Sequence, residues 1–314
     1  MEYLKYAIKR ILTMIPIVIV VSLVVFFLLR LSGSDSASII MGDKPATEEA
    51  RAAIIEEYHL DDPLIMQYVY WAGDVLKGDF GVSYVNGQEV KDLIASRVPI
   101  TVGLMVLHSI IGVTLAIVVG VIAAMHRNTW VDSVISVIML VIRSIPTFII
   151  SIVVLVWLVG HVDGYDLAGS FDSFGEYLQK IAAPSIIMGV SMICMLGRIT
   201  RSSMIAQLQS PYILTAKAKG IPEKDIVYKH AFHNAVLPVL TVAGLQFAGS
   251  IGGSVLIEQI FSLPGMGALL TEGIQKFNYP VVQIVVLIML LSYLVMSLVV
   301  DLLYAVVDPR VKLK

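Results

Sequence analysis

Few residues of this 314-residue chain have types and spacings that could do chemistry, and most of them fall in one polar stretch. Between Arg198 and Asn234 the sequence carries Arg198, Arg201, Lys217, Lys219, Lys224 and Lys229, together with His230 and His233. Ser210 before Pro211 has the pattern of a helix start, with Ser as N-cap and Pro at the first helical position. Gly220 fits the left-handed closing residue, and Pro222 prevents continuation. The pattern predicts a two-turn helix over Tyr212–Lys219 and a second from near Glu223 to about His233. Lys217 and Lys219 suit the carboxyl end of the helix dipole. Ala216, Ala218 and Gly220 are small enough to let another protein approach closely. The competing reading is a solvated connector, and propensity alone does not separate the two. Helix–turn–helix DNA binding is disfavoured, because a membrane-orientation bias accounts for the basic excess. His230 and His233, spaced i, i+3 with no acid nearby, read as bracing residues rather than metal ligands.

Other polar residues stand alone in apolar runs. Arg143 is costly at membrane depth unless it snorkels or faces a partner or cavity. It precedes Pro146, where a kink is expected. A role at a subunit interface or in a solute path competes with simple pairing to a backbone carbonyl. The run Gly244, Ala248, Gly249, Ser250, Gly252 and Gly253 makes a small-residue face suited to close helix packing. Cys194, the single cysteine, reads as a packing residue, as do Met139, Met188, Met192 and Met195. No G-x-x-x-x-G-K-[ST], H-E-x-x-H or G-x-S-x-G is present. No Asp or Glu lies near the middle of an apolar segment, which weakens an ion-coupled carrier. The expectation is therefore no catalytic residue, no metal site and no cofactor held by this chain, with energy drawn from elsewhere.

The elements that position these residues follow from composition. Hydrophobic residues make up 57% and charged residues only 15%, with net charge −2. A soluble domain carries about 25% charged residues. The balance excludes disordered, fibrous and nucleic-acid-binding proteins and points to a lipid environment. Gaps between charges give an all-α membrane protein with six spans. The first ends at residue 31, and the others cover approximately 98–125, 133–160, 181–200, 235–257 and 279–307. Lys and Arg collect at the N-terminus, after span two, between spans four and five, and in the tail 308–314. That places both termini in the cytoplasm. The other side is acidic, with Asp35, Asp43, Glu48, Glu49, Asp74 and Asp79 in residues 32–96, and Asp163, Asp166 and Asp172 between spans three and four. Residues 32–96 are too long for a connector. They predict an extracytoplasmic subdomain with a helix over Thr47–Tyr58 capped by Thr47. A second helix follows Pro63, with Ile65, Tyr68, Val69, Ala72, Val75 and Leu76 on one face, and a turn follows at Gly78–Gly81.

The segment YILTAKAKGIPEKDIVYKHAFHNAVLPVL (Tyr212–Leu240) resembles the ATPase-coupling motif of ABC-importer permeases, in the variant of the oligopeptide/dipeptide/nickel group. Against the general E-A-A-x-x-x-G, Leu214 and Thr215 replace the Glu and first Ala, whereas Ala216 and Gly220 remain. His230, Ala231, Phe232 and His233 stand where I-x-L-P is expected, and Leu237–Pro238 follow. GDFGVSYVNGQEV (Gly78–Val90), GGSVLIEQIFSLPGMGALL (Gly252–Leu270) and DLLYAVVDPRVK (Asp301–Lys312) resemble further stretches of the group. Ser34–Asp35–Ser36 departs from its usual Gly-Asp-Pro.

The resemblance implies a type I importer permease fold and a bacterial or archaeal cytoplasmic membrane. It implies pairing with a second homologous permease, two cytoplasmic ATPases and an extracytoplasmic solute-binding protein, and no nucleic acid. ATP and Mg would be bound by the ATPases. Residues Leu214, Thr215, Ala216, Lys217, Ala218, Lys219 and Gly220 would contact an ATPase. Arg143, Pro146, Gln246 and Gly249 are candidates for the pathway or the subunit interface. Alternating access would carry di- or oligopeptides, with a nickel chelate or glutathione as alternative cargo. A secondary carrier or channel working without ATPases is the alternative function.

Overall fold

The computed structural model describes residues 2–31, 36–41, 47–162, 171 and 173–307. The expectations on Ser34, Asp35, Asp43, Asp163, Asp166, Asp172 and the tail 308–314 lie outside the described residues. Among the described residues twelve helices follow in order. They are α1 (Glu2–Leu31), α2 (Ser36–Met41), α3 (Glu48–Glu57), α4 (Leu64–Lys77), α5 (Val90–Met125), α6 (Trp130–Ser144), α7 (Thr147–His161), α8 (Phe174–Leu208), α9 (Pro211–Ala218), α10 (Glu223–Ile260), α11 (Met266–Gln275) and α12 (Tyr279–Val307). Five are long and apolar enough to cross a membrane: α1, α5, α8, α10 and α12. The pair α6 and α7 makes a sixth span if taken together. No strand forms among the described residues; Val82 and Glu89 make one isolated antiparallel bridge.

Two differences from the expected spans have local causes. Residues 133–160 were expected to form one kinked helix, but α6 and α7 meet at a 92° bend. Ile145 is extended ahead of Pro146, as the residue before a proline prefers. Pro146 cannot donate a backbone hydrogen bond, and α7 starts afresh behind it. The second cytoplasmic helix does not stop near His233. It passes through a π-turn at Ile226–Ala231, where Phe232 N donates to Val227 O, and runs on into the span. The π-turn thus joins the polar helix start to the membrane span without a loop.

The chain divides into two compact units, 1–7 with 102–263 and 295–314, and 8–101 with 264–294. In the first, α8 packs against α5, α6 and α10. Its tightest seam runs along glycines of α5. A Cβ on Gly120 would lie 2.7 Å from the Gly197 carbonyl oxygen and would also clash with Thr200. One on Gly112 would meet Met192 Sδ at 2.8 Å. Gly189 and Gly197 face back from α8, so neither backbone can retreat. By contrast Gly249, Gly252 and Gly253, on the face expected to pack closest, have open space where a Cβ would go, and only Gly244 is pressed, against Val300. Gly120→Ala is therefore expected to lower stability by about 1–3 kcal/mol through forced helix separation, with Gly249→Ala near neutral. Thermal midpoints of the two variants in nanodiscs check this.

In the second unit Thr47 caps α3 as expected, accepting from Ala50 N at 3.2 Å. Gly78 closes α4 in the left-handed region. The face of α4 differs from expectation. Ile65, Val69 and Leu76 point outward, whereas Gln67 is buried and Trp71 and Val75 pack on a core of Val90, Ile94, Leu269 and Ile284. Apolar periodicity mispredicts here because a lipid-facing or partner-facing surface is as apolar as a core. Asn278 fastens the 78–90 segment. Its Oδ1 accepts from Tyr84 N at 3.1 Å, and its Nδ2 donates to Ser83 Oγ at 2.8 Å.

Candidate functional site

The short helix α9 is held from beneath by two residues. Ile213 and Ala216 sink into a core formed by Val121, Ala124, Met204, Ile226, Val227 and Ala231. The same spacing turns Leu214, Lys217 and Ala218 outward on the opposite face, with Leu214 63% exposed. Ala216, expected to contact a partner, is instead an anchor at 7% exposure. Gly220 closes the helix with φ +75° and open space around its Cα, as the sequence predicted.

The cap at Ser210 differs from expectation. Its hydroxyl donates back to the Gln207 carbonyl at 2.6 Å and makes no side-chain cap, so Pro211, lacking an N–H, does most to start the helix. Tyr212 locks the flank. Its hydroxyl lies 2.9 Å from Gln207 Oε1 and 3.2 Å from the His230 carbonyl, and it accepts from Asn234 Nδ2 at 3.2 Å. His230 thus braces through its backbone. Among the described residues no His/Cys/Asp/Glu group could hold a metal.

A second site lies between the spans of the same unit. A cavity of about 280 Å³ is lined by His108, Thr147, Ser191, Gln246, Gly249 and Ser250, among others. Thr147 and Ser191 hydroxyls lie 3.0 Å apart, linking α7 to α8. His108, 4% exposed, has its Nδ1 3.0 Å from the Leu104 carbonyl. Two sequence candidates, Gln246 and Gly249, come together here. Pro146 is not among the lining residues but sets the start of α7, which delivers Thr147. His108, Thr147 and Ser191 were missed, each being a small polar interruption of an apolar run.

Arg143 is not part of that cavity. It lines a separate groove of about 680 Å³ with Arg198, Arg201 and Ser202. Arg201 grips Asp132 with two bonds, Nε to Oδ1 at 2.5 Å and Nη2 to Oδ2 at 2.6 Å. Asn128 N donates to the same carboxylate at 3.1 Å. Asp132 is 4% exposed. This clamp ties the start of α6 to α8 and was not read from the sequence, where the two residues lie far apart.

Comparison with known proteins agrees with this architecture. Residues 116–313 match the family described as binding-protein-dependent transport system inner membrane component. Residues 3–105 match its N-terminal companion. A probable peptide ABC transporter permease, y4tP, of Sinorhizobium fredii is 36% identical over 98% of this chain and 99% of its own. The glutathione transport system permease GsiC of Salmonella choleraesuis is 35% identical over 99% of this chain and all of its own. A crystal structure of an amino acid ABC transporter with histidines superposes with TM-score 0.53 at 16% identity, covering 70% of this chain and 95% of that one. That likeness concerns the fold.

The chain belongs to the family of binding-protein-dependent transport system inner membrane components. It is a multi-pass permease subunit of an ABC importer in the cytoplasmic membrane, of the type I fold, and works with other ABC transporter subunits.

Proposed function

We propose that the chain forms half of a pathway for di- or oligopeptides, opened to alternate sides by ATPases that grip α9. The observation that carries this reading is the two-sidedness of α9. Ile213 and Ala216 anchor it to the ends of α5 and α8 and the start of α10, so a force on its outer face reaches three membrane helices at once. Leu214, Thr215, Lys217, Ala218, Lys219 and Gly220 form the surface offered to the ATPase. A second homologous permease completes the pathway, two ATPases bind ATP and Mg, and an extracytoplasmic binding protein delivers solute. The permease itself holds no cofactor and catalyses no reaction. Gln246, Gly249 and His108 contribute to the solute path, and Arg143 to the interface or path. Closure of the ATPases converts inward-open to outward-open by rigid-body motion. The peptide reading is supported by the relative named for peptides, and glutathione, itself a peptide, remains the alternative cargo through the relative named for it.

The test is uptake by the complete complex in proteoliposomes. Labelled tripeptide should enter only with ATP and binding protein present, and the chain alone should transport nothing. Uptake by the chain alone without ATP would overturn the reading in favour of a self-sufficient carrier. Uptake confined to glutathione would overturn the peptide assignment while leaving the ATP coupling intact.

A further inference from the structure

In the unit formed by 8–101 and 264–294, a pocket of about 220 Å³ opens between α1, α4, the 78–84 segment and α12. That is room for on the order of seven waters, or for a ligand of one or two residues. Two buried amides line it with an atom that has no partner: Gln67 Oε1 and Gln283 Nε2. Their residues are 6% and 5% exposed. The orientation of Gln67 is fixed, because its Nε2 donates to the carbonyls of Leu60 at 3.0 Å and Asp62 at 2.8 Å, leaving Oε1 as a bare acceptor. Buried polar atoms are rarely left unsatisfied in native proteins, so each orphan calls for an occupant.

The surroundings specify that occupant. Arg30 lines the pocket, its guanidinium 5.4 Å from the Phe26 ring centre and 5.8 Å from that of Tyr279. A guanidinium held by rings suits a carboxylate. Asp74, which pairs with Lys77 at 2.9 Å, and Asp79, which accepts from Gly81 N at 2.9 Å, line the same pocket and bring it the negative charge that suits an ammonium. Gln67 Oε1 needs a donor and Gln283 Nε2 an acceptor, as a peptide N–H and C=O provide. Burial pushes the Tyr84 hydroxyl up to about 12, against the lowering pull of Arg30, so Tyr84 adds no charge of its own to the pocket at physiological pH.

We propose that this pocket binds the zwitterion of a free dipeptide, with its carboxylate toward Arg30, its amide between Gln67 and Gln283, and its ammonium toward Asp74 and Asp79. The site is separate from the cavity around Gln246 and does not depend on the coupling role of α9, so it is read without ATP and without uptake.

Trp71 lines the pocket and reports on it. In full-length chain in nanodiscs, with Trp130 and Trp157 replaced by Phe, glycylglycine should change Trp71 emission saturably. N-acetylglycine and glycinamide, each lacking one charge, should bind at least about tenfold more weakly. Gln283→Met removes one orphan while keeping the shape. It should abolish the response and leave the thermal midpoint unchanged or raised. Gln283→Glu, which turns the donor into an acceptor, should abolish it as well. No saturable response up to about 10 mM, equal responses to all three probes, or an undiminished response in Gln283→Met would each overturn the proposal and leave a water-filled pocket.

Discussion

Gly220→Asp should insert normally and assemble, yet lose ATP-driven uptake by about 30-fold or more while the ATPases continue to hydrolyse ATP. The folding side of this expectation rests on space and backbone. Gly220 has φ +75° with nothing within 4 Å of an added Cβ. Asp is among the non-glycine residues that best tolerate the left-handed region, so the strain is about 1 kcal/mol. The functional side rests on the interface. Gly220 closes the outward face of α9, where a new carboxylate would be desolvated against a docked protein without a partner. Such an unpaired charge costs about 2–5 kcal/mol of binding. Gly220→Ala, with strain but no charge, should lose only a small part of the uptake. Uptake and phosphate release measured on the same proteoliposomes separate uncoupling from misassembly. Wild-type uptake in Gly220→Asp would contradict a partner seated at this residue.

The second large effect concerns stability. Asp132→Ala should cost about 3 kcal/mol, because it strands the Arg201 guanidinium beside a nearly buried site and removes the acceptor for Asn128 N. Arg201→Ala should cost a similar amount. The double variant should cost clearly less than the two singles together, since both break the same pair. Thermal midpoints of the three proteins in nanodiscs give the cycle, and additive losses would mean that the clamp is not a coupled unit. Loss of the clamp frees the start of α6 from α8, so the groove lined by Arg143 and Arg198 should change shape with it.

The long apolar gaps between charges made most of the spans legible in the sequence. A helix that must satisfy its backbone in lipid announces itself by length alone. Helix α9 was legible for a different reason: Pro211, Gly220 and Pro222 are residues whose backbone limits act locally, whatever surrounds them. What periodicity could not give was direction. In a chain that is apolar on every side, the pattern does not say which face of α4 is buried, so Gln67 was missed and Leu76 misplaced. The small residues of 244–253 stood out by density, yet the seam that is pressed shut uses Gly112 and Gly120, more widely spaced and hidden in an apolar run. Ala216 looked like a contact surface because it is small, but on a helix held by two anchors smallness equally serves burial. Asp132 pairs with Arg201, and Arg30, Gln67 and Gln283 line one pocket, across long stretches of chain that one sequence does not display.

Site-directed cross-linking tests whether the outer face of α9 is seated against an ATPase. The chain's single cysteine, Cys194, is buried, so an introduced surface thiol is the reactive one. In the assembled complex, Leu214→Cys and Lys217→Cys, each labelled with a benzophenone maleimide and irradiated, should give a permease–ATPase adduct whose yield changes on adding ATP. Ala216→Cys, facing the core, should give none. Absence of any adduct from Leu214→Cys and Lys217→Cys in an intact, ATP-hydrolysing complex would contradict the account.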